Sequence, residues 1–430
     1  MYLKSLHLDH FKCFEHVDVP FHPHLTVLVG VNGAGKTTIL EGATIAISTM
    51  FASFDGLKSI SISKMQAHLK AYSLGSTSDV QAQYPVRVGA SAEIDGAEVS
   101  WARSLNTAKG QTTVKDANPL TAIATAYQDR LRKGDQSLLL PILAYYGTGR
   151  LWDYHREKQS DLFGTNTRTN GYMDGLDGTA GVRLMMNWFK KMTVQKYQNQ
   201  ENGLGDIPEL IAVYSAMEQC YNRITGRDDT KIQYNISTNE LDVSYTEDAG
   251  ERMRIPLNQL SDGYKSTISL VADIAYRMAV LNPQLLENVL TETDGIVLID
   301  EIDLHLHPAW QQRILGDLTF IFPKVQFIVT THAPEVINSV PRENVIVIEK
   351  HRAIPAPAET YGKDANGVLR TIMQVQERPE SVMMRFQKFY KALDEKDYEK
   401  AEKILKALES DLGDDPELVS MRVQLDLDQL

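Results

Sequence analysis

The sequence predicts an α/β fold with a mixed sheet, because two apolar runs typical of buried strands end in polar patterns that belong at one sheet edge. The first run, residues 25–29, leads into GVNGAGKT at 30–37 and then into a helical run, which is the usual context of a G-x-x-x-x-G-K-[ST] phosphate loop. The second run ends in Asp300 and Glu301. A phosphate-binding loop and two carboxylates are therefore expected on the same sheet.

The phosphate loop predicts how a nucleotide would be held. Its glycines let the backbone wrap a phosphate, and the loop N–H groups and the helix N-terminus face the anion. Lys36 would neutralise the outer phosphates, while the Thr37 hydroxyl would ligate Mg²⁺. The residues expected to contact the nucleotide are Gly30, Asn32, Gly33, Ala34, Gly35, Lys36, Thr37 and Thr38. The alternative is a glycine turn without a ligand, and the flanking strand and helix disfavour it.

The two acids predict the chemistry. Asp300 would hold Mg²⁺, directly or through water, and Glu301 would orient and deprotonate the attacking water. A strand that ends in Asp-Glu is by itself more typical of a solvated turn. Paired with Lys36, it indicates an ATP hydrolase that uses Mg²⁺.

A third segment predicts a second anion site. Residues 260–263 read LSDG and precede a run whose apolar positions suit a buried helix, so Ser261 and Gly263 lie at a helix N-terminus. One protein does not need two such sites for one γ-phosphate unless they come from different subunits. The alternative is that Ser261 is simply an N-cap.

This order of segments resembles that of the ABC-type ATPases, in which the L-S-x-G segment of one protomer closes over ATP held by the phosphate loop of the other. The resemblance implies that Ser261 and Gly263 contact the ATP of a partner. It also implies that His332, which follows the apolar run at 325–330, contacts the γ-phosphate. A histidine after a strand is otherwise usually a loop residue.

The start of the chain resembles RecF- and SMC-type heads rather than transporter ATPases. Residues 2–21 carry this likeness, which implies that Lys12 lies near the nucleotide; a solvated turn lysine is the alternative. ABC-type heads usually carry a glutamine after the strand predicted here at 138–146. This chain has none there, which puts the usual metal-coordinating role of that glutamine in doubt, and Arg150 or Tyr146 is expected to serve instead.

The segment after the acids has two interpretations. Asp303, His305 and His307 alternate, so an extended backbone would point all three side chains to one side, as in a metal site. The favoured interpretation follows the ABC-type resemblance, in which Asp303 contacts the partner protomer. Pro308 would then begin the next helix, and the Trp310 side chain would be packed.

The pattern divides the chain into four predicted parts. These are a nucleotide-binding lobe with antiparallel strands at 1–150, a helical lobe ending in a hairpin at 151–258, the rest of the ATPase core at 259–350, and a linker with a helical tail at 351–430. The elements expected within them are a tight hairpin at Asp95-Gly96, a helix at 119–133, strands at 232–236 and 240–245, a linker over 353–362, and tail helices capped by Asp397 and Asp415.

Composition limits the classes of protein. The 430 residues carry a net charge of −12, which argues against diffuse nucleic-acid affinity, so any nucleic-acid contact is expected at a local patch. Cys13 and Cys220 show no C-x-x-C spacing, and the sequence shows no signal peptide and no run of about 20 apolar residues. A cytoplasmic protein without membrane contact is expected.

Nearly the whole chain resembles a group of RecF-like ATPases of prokaryotic antiviral defence, which includes the Septu PtuA ATPases that work beside an HNH nuclease. The segments that carry this likeness are 144–150, 300–308 and 361–364. It implies a homodimer or higher oligomer in which the state of the bound nucleotide regulates a partner nuclease. The tail is too short for the Toprim nuclease domain of overcoming-lysogenization proteins, so this chain is not expected to cut nucleic acid.

Two other classes remain as alternatives. A RecF-like repair ATPase would clamp DNA on binding ATP, and salt-dependent DNA binding would favour it. A transporter or translation-factor ATPase is disfavoured by the RecF-like start of the chain and by the long stretch between Gly263 and Asp300.

Overall fold

The computed structural model describes residues 1–74, 77–149, 167–178, 182–247, 250–373 and 378–429. Arg150 and residues 151–166 of the predicted helical lobe lie outside these ranges. Contacts divide the chain into a unit spanning Met1–Ala365 and a unit spanning Asn366–Leu430. In the part of the chain that is described, every helix is too short or too polar to cross a lipid bilayer.

The elements are numbered in chain order. The strands are β1 (Tyr2–Phe11), β2 (Phe14–Pro20), β3 (Leu25–Val29), β4 (Leu69–Leu74), β5 (Thr77–Ala82), β6 (Val86–Ile94), β7 (Ala97–Leu105), β8 (Ile142–Tyr146), β9 (Lys231–Asn235), β10 (Glu240–Thr246), β11 (Arg252–Pro256), β12 (Gly295–Ile299), β13 (Val325–Thr331), β14 (Val345–Glu349) and β15 (Arg352–Pro355). The α-helices are α1 (Lys36–Ser48), α2 (Asn118–Arg132), α3 (Val182–Glu201), α4 (Pro208–Thr225), α5 (Asp262–Leu281), α6 (Val289–Glu292), α7 (Pro308–Gln311), α8 (Ile314–Ile321), α9 (Pro334–Ile337), α10 (Ala365–Thr371), α11 (Glu380–Asp394), α12 (Tyr398–Leu412) and α13 (Pro416–Asp428).

The main sheet is mixed, as predicted, with the strand order β15-β14-β3-β13-β12-β8. β14, β3, β13, β12 and β8 run parallel, and β15 adds to β14 in the antiparallel sense. β3, β12 and β13 are buried along their whole length, which explains their continuous apolar runs. Their C-terminal ends meet at one edge, so the phosphate loop, the two acids and His332 converge there.

A second, antiparallel sheet has the order β2-β1-β6-β7, and α1 packs between it and the main sheet. This position explains why α1 is buried nearly all round rather than amphipathic. A Cβ at Gly42 would lie 2.7 Å from Leu8 Cδ2, so glycine lets the helix approach β1 closely. Trp101 in β7 donates a 3.0 Å hydrogen bond from Nε1 to the carbonyl of Ala46.

The helical part of the first unit is built around α5. This helix is buried along most of its length and packs on α3, α4 and β8. The strands β11, β10 and β9 form a further antiparallel sheet beside α4. The predicted strands at 232–236 and 240–245 match β9 and β10, whereas β11 has no counterpart in the prediction.

Other boundaries also differ from the prediction. The linker expected over 353–362 is wrong at its start, because β15 pairs with β14 through Ile346 and Pro355. The strand expected at 138–146 begins only at Ile142, since Pro141 has no N–H to contribute to a ladder. The helix expected at 119–133 is confirmed as α2.

The second unit is helical. α11, α12 and α13 share an apolar cluster that includes Phe389, Leu405 and Met421. The predicted caps are confirmed, because the Asp397 carboxylate accepts from the N–H of Lys400 at 3.2 Å and the Asp415 carboxylate accepts from the N–H of Glu417 at 2.9 Å.

Candidate nucleotide site

The phosphate loop joins β3 to α1 with backbone geometry that requires glycine. Gly33 and Gly35 have φ values of 80° and 108°, in the left-handed region that side chains disfavour. A Cβ at Gly35 would also lie 2.4 Å from the Phe14 ring, and a Cβ at Gly30 would lie 2.5 Å from the carbonyl oxygen of Ile348. The neighbouring strands therefore fix the path of the loop.

Lys36 is the first residue of α1, and its ammonium points back into the loop. Nζ donates to the carbonyl of Gly30 at 2.9 Å and to that of Val31 at 3.3 Å. It also lies 2.7 Å from His332 Nε2 at the end of β13. Burial lowers the pKa of Lys36, while nearby carboxylates, with Asp300 the largest contributor, oppose this.

The contact between Lys36 and His332 defines the state of the imidazole. An ammonium can only donate, so Nε2 must accept, and the neutral ring then carries its proton on Nδ1. Burial lowers the pKa of His332, and the charge of Lys36 lowers it further. The structure thus places His332 beside the lysine that is expected to hold the outer phosphates.

Two hydroxyls hold the Asp300 carboxylate. Thr37 Oγ1 donates to Oδ2 at 2.8 Å, and Thr330 Oγ1 donates to Oδ1 at 2.5 Å. The N–H of Asp300 donates to the carbonyl of Tyr146 at 2.8 Å, which extends the pairing of β12 with β8 by one residue. The predicted Mg²⁺ ligands Thr37 and Asp300 are therefore neighbours in space.

These oxygens fit Mg²⁺. This ion is typically held by one or two protein oxygens together with phosphates and water, rather than by a complete protein cage. No group of three or more His, Cys, Asp or Glu residues suited to a metal ion occurs among the described residues. A hydroxyl and one carboxylate beside a phosphate loop match the first arrangement.

Glu301 follows Asp300 in an unusual backbone conformation. Its φ is 47°, and its N–H donates to Thr330 Oγ1 at 2.7 Å. Left-handed conformations of residues other than glycine cost energy and cluster at functional sites, where the surrounding structure enforces them. Thr330 therefore holds the carboxylate of Asp300 and the backbone N–H of Glu301, although the sequence prediction did not include it. The signal was a threonine pair at the end of a mostly apolar strand.

The predicted signature residues lie in a different cleft. Ser261 occupies the N-cap position of α5, as the alternative interpretation expected, but its hydroxyl makes no capping hydrogen bond and is exposed. We define the signature cleft as the space of about 590 Å³ lined by Ser261, Asp262, Gly263, His305, His307 and Trp310. It shares no lining residue with the phosphate loop.

Gly263 explains how the two walls of the signature cleft meet. A Cβ at Gly263 would lie 2.7 Å from the carbonyl oxygen of His305 and 3.0 Å from the Trp310 ring. Trp310 also packs against Tyr264, with ring centroids 4.5 Å apart. The loop that follows Asp300 and Glu301 therefore packs directly on the N-terminus of α5.

The alternative metal site at Asp303, His305 and His307 is not supported. Residues 301–305 form turns, and His305 has a φ of 63°, so the extended backbone that this interpretation required is absent there. Asp303 Oδ1 accepts a 2.6 Å hydrogen bond from Thr331 Oγ1. His307 Nδ1 accepts from the N–H of Ala309 and so caps α7.

Lys12 and Tyr146 have partners within the chain. The Lys12 ammonium forms an ion pair with Glu41 of α1, and the adjacent Cys13 lies against Gly35. Tyr146 is buried, and its hydroxyl donates to Asp273 at 2.7 Å, so it does not replace the usual glutamine as an exposed metal ligand. Arg150, the other expected replacement, lies outside the described residues.

Comparison with known proteins places this geometry in a family. The family model described as AAA domain matches residues 5–249, which is more than half of the chain and includes the phosphate loop. The chain belongs to the AAA domain family. The acids, the signature segment and His332 lie beyond the matched range.

Similar proteins extend this match over most of the chain. The Retron Ec83 probable ATPase of Escherichia coli is 27% identical, over 98% of this chain and 86% of its own length. The Retron Vc95 probable ATPase of Vibrio cholerae is also 27% identical, over 88% of this chain and 80% of its own length. The Septu protein PtuA of Bacillus thuringiensis is 24% identical, over 93% of this chain and 91% of its own length. The chain is a RecF-like ATPase related to those of antiviral defence systems.

Solved structures similar to the chain include SMC heads. The SMC head domain from Thermotoga maritima has a TM-score of 0.43 and 17% identity, and the match covers 83% of this chain and all of that one. An SMC head bound to the C-terminal winged-helix domain of ScpA has a TM-score of 0.45 and 15% identity, and the match covers 81% of this chain and 94% of that one.

Proposed function

We propose that this protein binds and hydrolyses ATP between two protomers. The observation that carries the proposal is the separation of two sets of residues. Lys36, Thr37, Asp300 and His332 are joined by hydrogen bonds at one sheet edge, whereas Ser261 lines the signature cleft with its hydroxyl exposed. A second protomer would bring a signature cleft to each phosphate loop, which would complete two equivalent sites.

The residues of the phosphate-loop site would divide the work. Lys36 and the loop N–H groups would bind the outer phosphates, and His332 would contact the γ-phosphate beside Lys36. Glu301 would accept a proton from the attacking water while holding it in line with the bond that breaks. Bound Mg²⁺, held by Thr37 and Asp300, would neutralise charge that develops on the phosphates.

The environment of Asp300 supports this division of roles. Its carboxylate is 2% exposed and accepts from two hydroxyls, so its orientation is fixed before substrate arrives. Glu301 is only partly buried, which leaves its carboxylate accessible to water. A fixed metal ligand and a more accessible base are what phosphoryl transfer to water requires.

We further propose that the nucleotide state of this ATPase regulates an antiviral defence complex through a partner nuclease of the HNH type. The Septu and retron relatives support the defence role because they match most of the chain. The alternative, a RecF-like DNA repair ATPase, has narrower support. Two RecF proteins that match do so over 10% of this chain.

A pull-down from the native host tests the partner. The bait is the Glu301→Gln protein with ATP, which is expected to stay in the closed assembly, and Lys36→Ala is the control bait. Stoichiometric recovery of a nuclease by Glu301→Gln alone would support the defence proposal. Recovery of recombination proteins or of DNA without a nuclease would favour the repair alternative.

A further inference from the structure

A buried tyrosine joins the edge of the main sheet to α5. Tyr146 is the last residue of β8, and its carbonyl accepts the 2.8 Å hydrogen bond from the N–H of Asp300. Its hydroxyl donates to Asp273 Oδ2, on α5, at 2.7 Å. One residue therefore contacts both the proposed metal ligand and the helix that begins at the signature cleft.

An arginine on the next turn of α5 extends this connection. Arg277 Nε donates to the same Asp273 Oδ2 at 2.7 Å. Its Nη1 donates to the carbonyls of Gly171 at 3.0 Å and Met173 at 2.9 Å. A Cβ at Gly175 would lie 2.8 Å from the same Nη1, so the segment that pairs with β8 is held tightly against α5.

The buried charges of this cluster are better explained by a role in positioning side chains than by a contribution to the free energy of unfolding. Asp273 and Arg277 are each 1% exposed, and burying an ion pair costs about as much desolvation energy as the pairing returns. Among the described residues, Asp273 Oδ1 also lacks a hydrogen-bond partner. Burial and the nearby Asp273 raise the pKa of Tyr146 well above its ordinary value, so the hydroxyl keeps its proton and donates.

We propose that Tyr146, Asp273 and Arg277 form a positioning network that couples the phosphate-loop site of a protomer to its own signature cleft. The network rests on the proposed function, since it matters only if both regions serve ATP turnover. Asp273 lies twelve residues after Ser261, or about 18 Å along the helix axis. Because α5 is a packed, continuous helix, a shift at Asp300 that moves Tyr146 would reposition Ser261.

The test compares two buried tyrosines in the purified full-length chain. Tyr146→Phe removes the hydroxyl that reaches Asp273 and is expected to lower kcat about tenfold while KM for ATP stays within about twofold. Tyr172→Phe is the matched control, because Tyr172 is equally buried and its hydroxyl donates to the carbonyl of Pro141 at 2.8 Å rather than to a side chain of the network. Equal kcat values for the two variants would overturn the proposal.

Failure of this network and failure of the proposed function give different results. A wild-type chain without ATP turnover would refute the function, whereas an active wild type with an equally active Tyr146→Phe refutes only the network. If Tyr146→Phe does not fold, Arg277→Lys decides instead. It keeps the charge beside Asp273 but loses the guanidinium fork that reaches Gly171 and Met173, so kcat is expected to fall with KM unchanged.

Discussion

The phosphate-loop site and the signature cleft differ in how their polar groups are satisfied. In the first, Lys36 uses all its donors within the chain, and the Asp300 carboxylate accepts from two hydroxyls. In the second, the Ser261 hydroxyl is exposed and makes no capping bond. One half of the proposed ATP site is therefore preorganised by its own fold, while the other half presents its groups outward.

The largest expected effect is on the preorganised half. Lys36→Ala should weaken ATP binding by about 100-fold or more, because the alanine cannot replace the charge-assisted bonds to the outer phosphates. Isothermal titration calorimetry measures this directly. Lys391→Ala, which removes an exposed lysine from α11, should bind ATP as the wild type does. Retained tight binding by Lys36→Ala would show that the phosphate loop does not hold the nucleotide.

A second change separates binding from chemistry at the same site. Glu301→Gln should keep ATP binding and lower turnover by about 100-fold or more, because the amide cannot accept the proton of the attacking water. Isothermal titration calorimetry gives the affinity for ATP, and steady-state phosphate release gives the turnover rate. A variant with near-normal turnover would remove Glu301 from the role of base.

A smaller effect concerns pH and His332. Burial is the main reason that the pKa of His332 is lower in the folded chain than in the unfolded chain. At pH values between these two pKa values, the unfolded chain therefore binds more protons than the folded chain. The free energy of unfolding should therefore fall as pH is lowered through this range, below about 6.5. Thermal melts at pH 8 and pH 6 should show a smaller loss in Tm for His332→Gln than for the wild type. His24→Gln, at an exposed histidine, is the control; if it behaves like His332→Gln, this explanation fails.

The sheet and the phosphate-loop site follow from sequence because they rest on local patterns. β3, β12 and β13 are buried on both faces, so they read as continuous apolar runs. The glycines of the loop and the terminal acids then fall at strand ends, where parallel strands place their ligands. The hairpin of β4 and β5 shows the opposite case, since β5 is exposed along its length and carries no periodic signal.

Side-chain networks between distant elements could not be predicted in this way. The contact of Thr330 with both acids depends on β13 lying beside β12, and the Tyr146 contact depends on α5 packing against β8. Tyr146 was expected to serve as a metal ligand because of its place at the end of a strand, but its hydroxyl faces α5. The sequence pattern predicts that Thr330 and Tyr146 lie at strand ends, but tertiary packing determines the direction in which their side chains point.

If ATP joins the two unlike halves of separate protomers, its binding should make the chain self-associate. Analytical ultracentrifugation with ATP measures this for Glu301→Gln alone and for Glu301→Gln combined with Ser261→Arg, which places a bulky side chain at the rim of the signature cleft. Both proteins should bind ATP equally, because the phosphate-loop site is intact, but only Glu301→Gln should self-associate. Equal ATP-dependent association of the two would contradict the claim that the signature cleft closes over the partner's nucleotide.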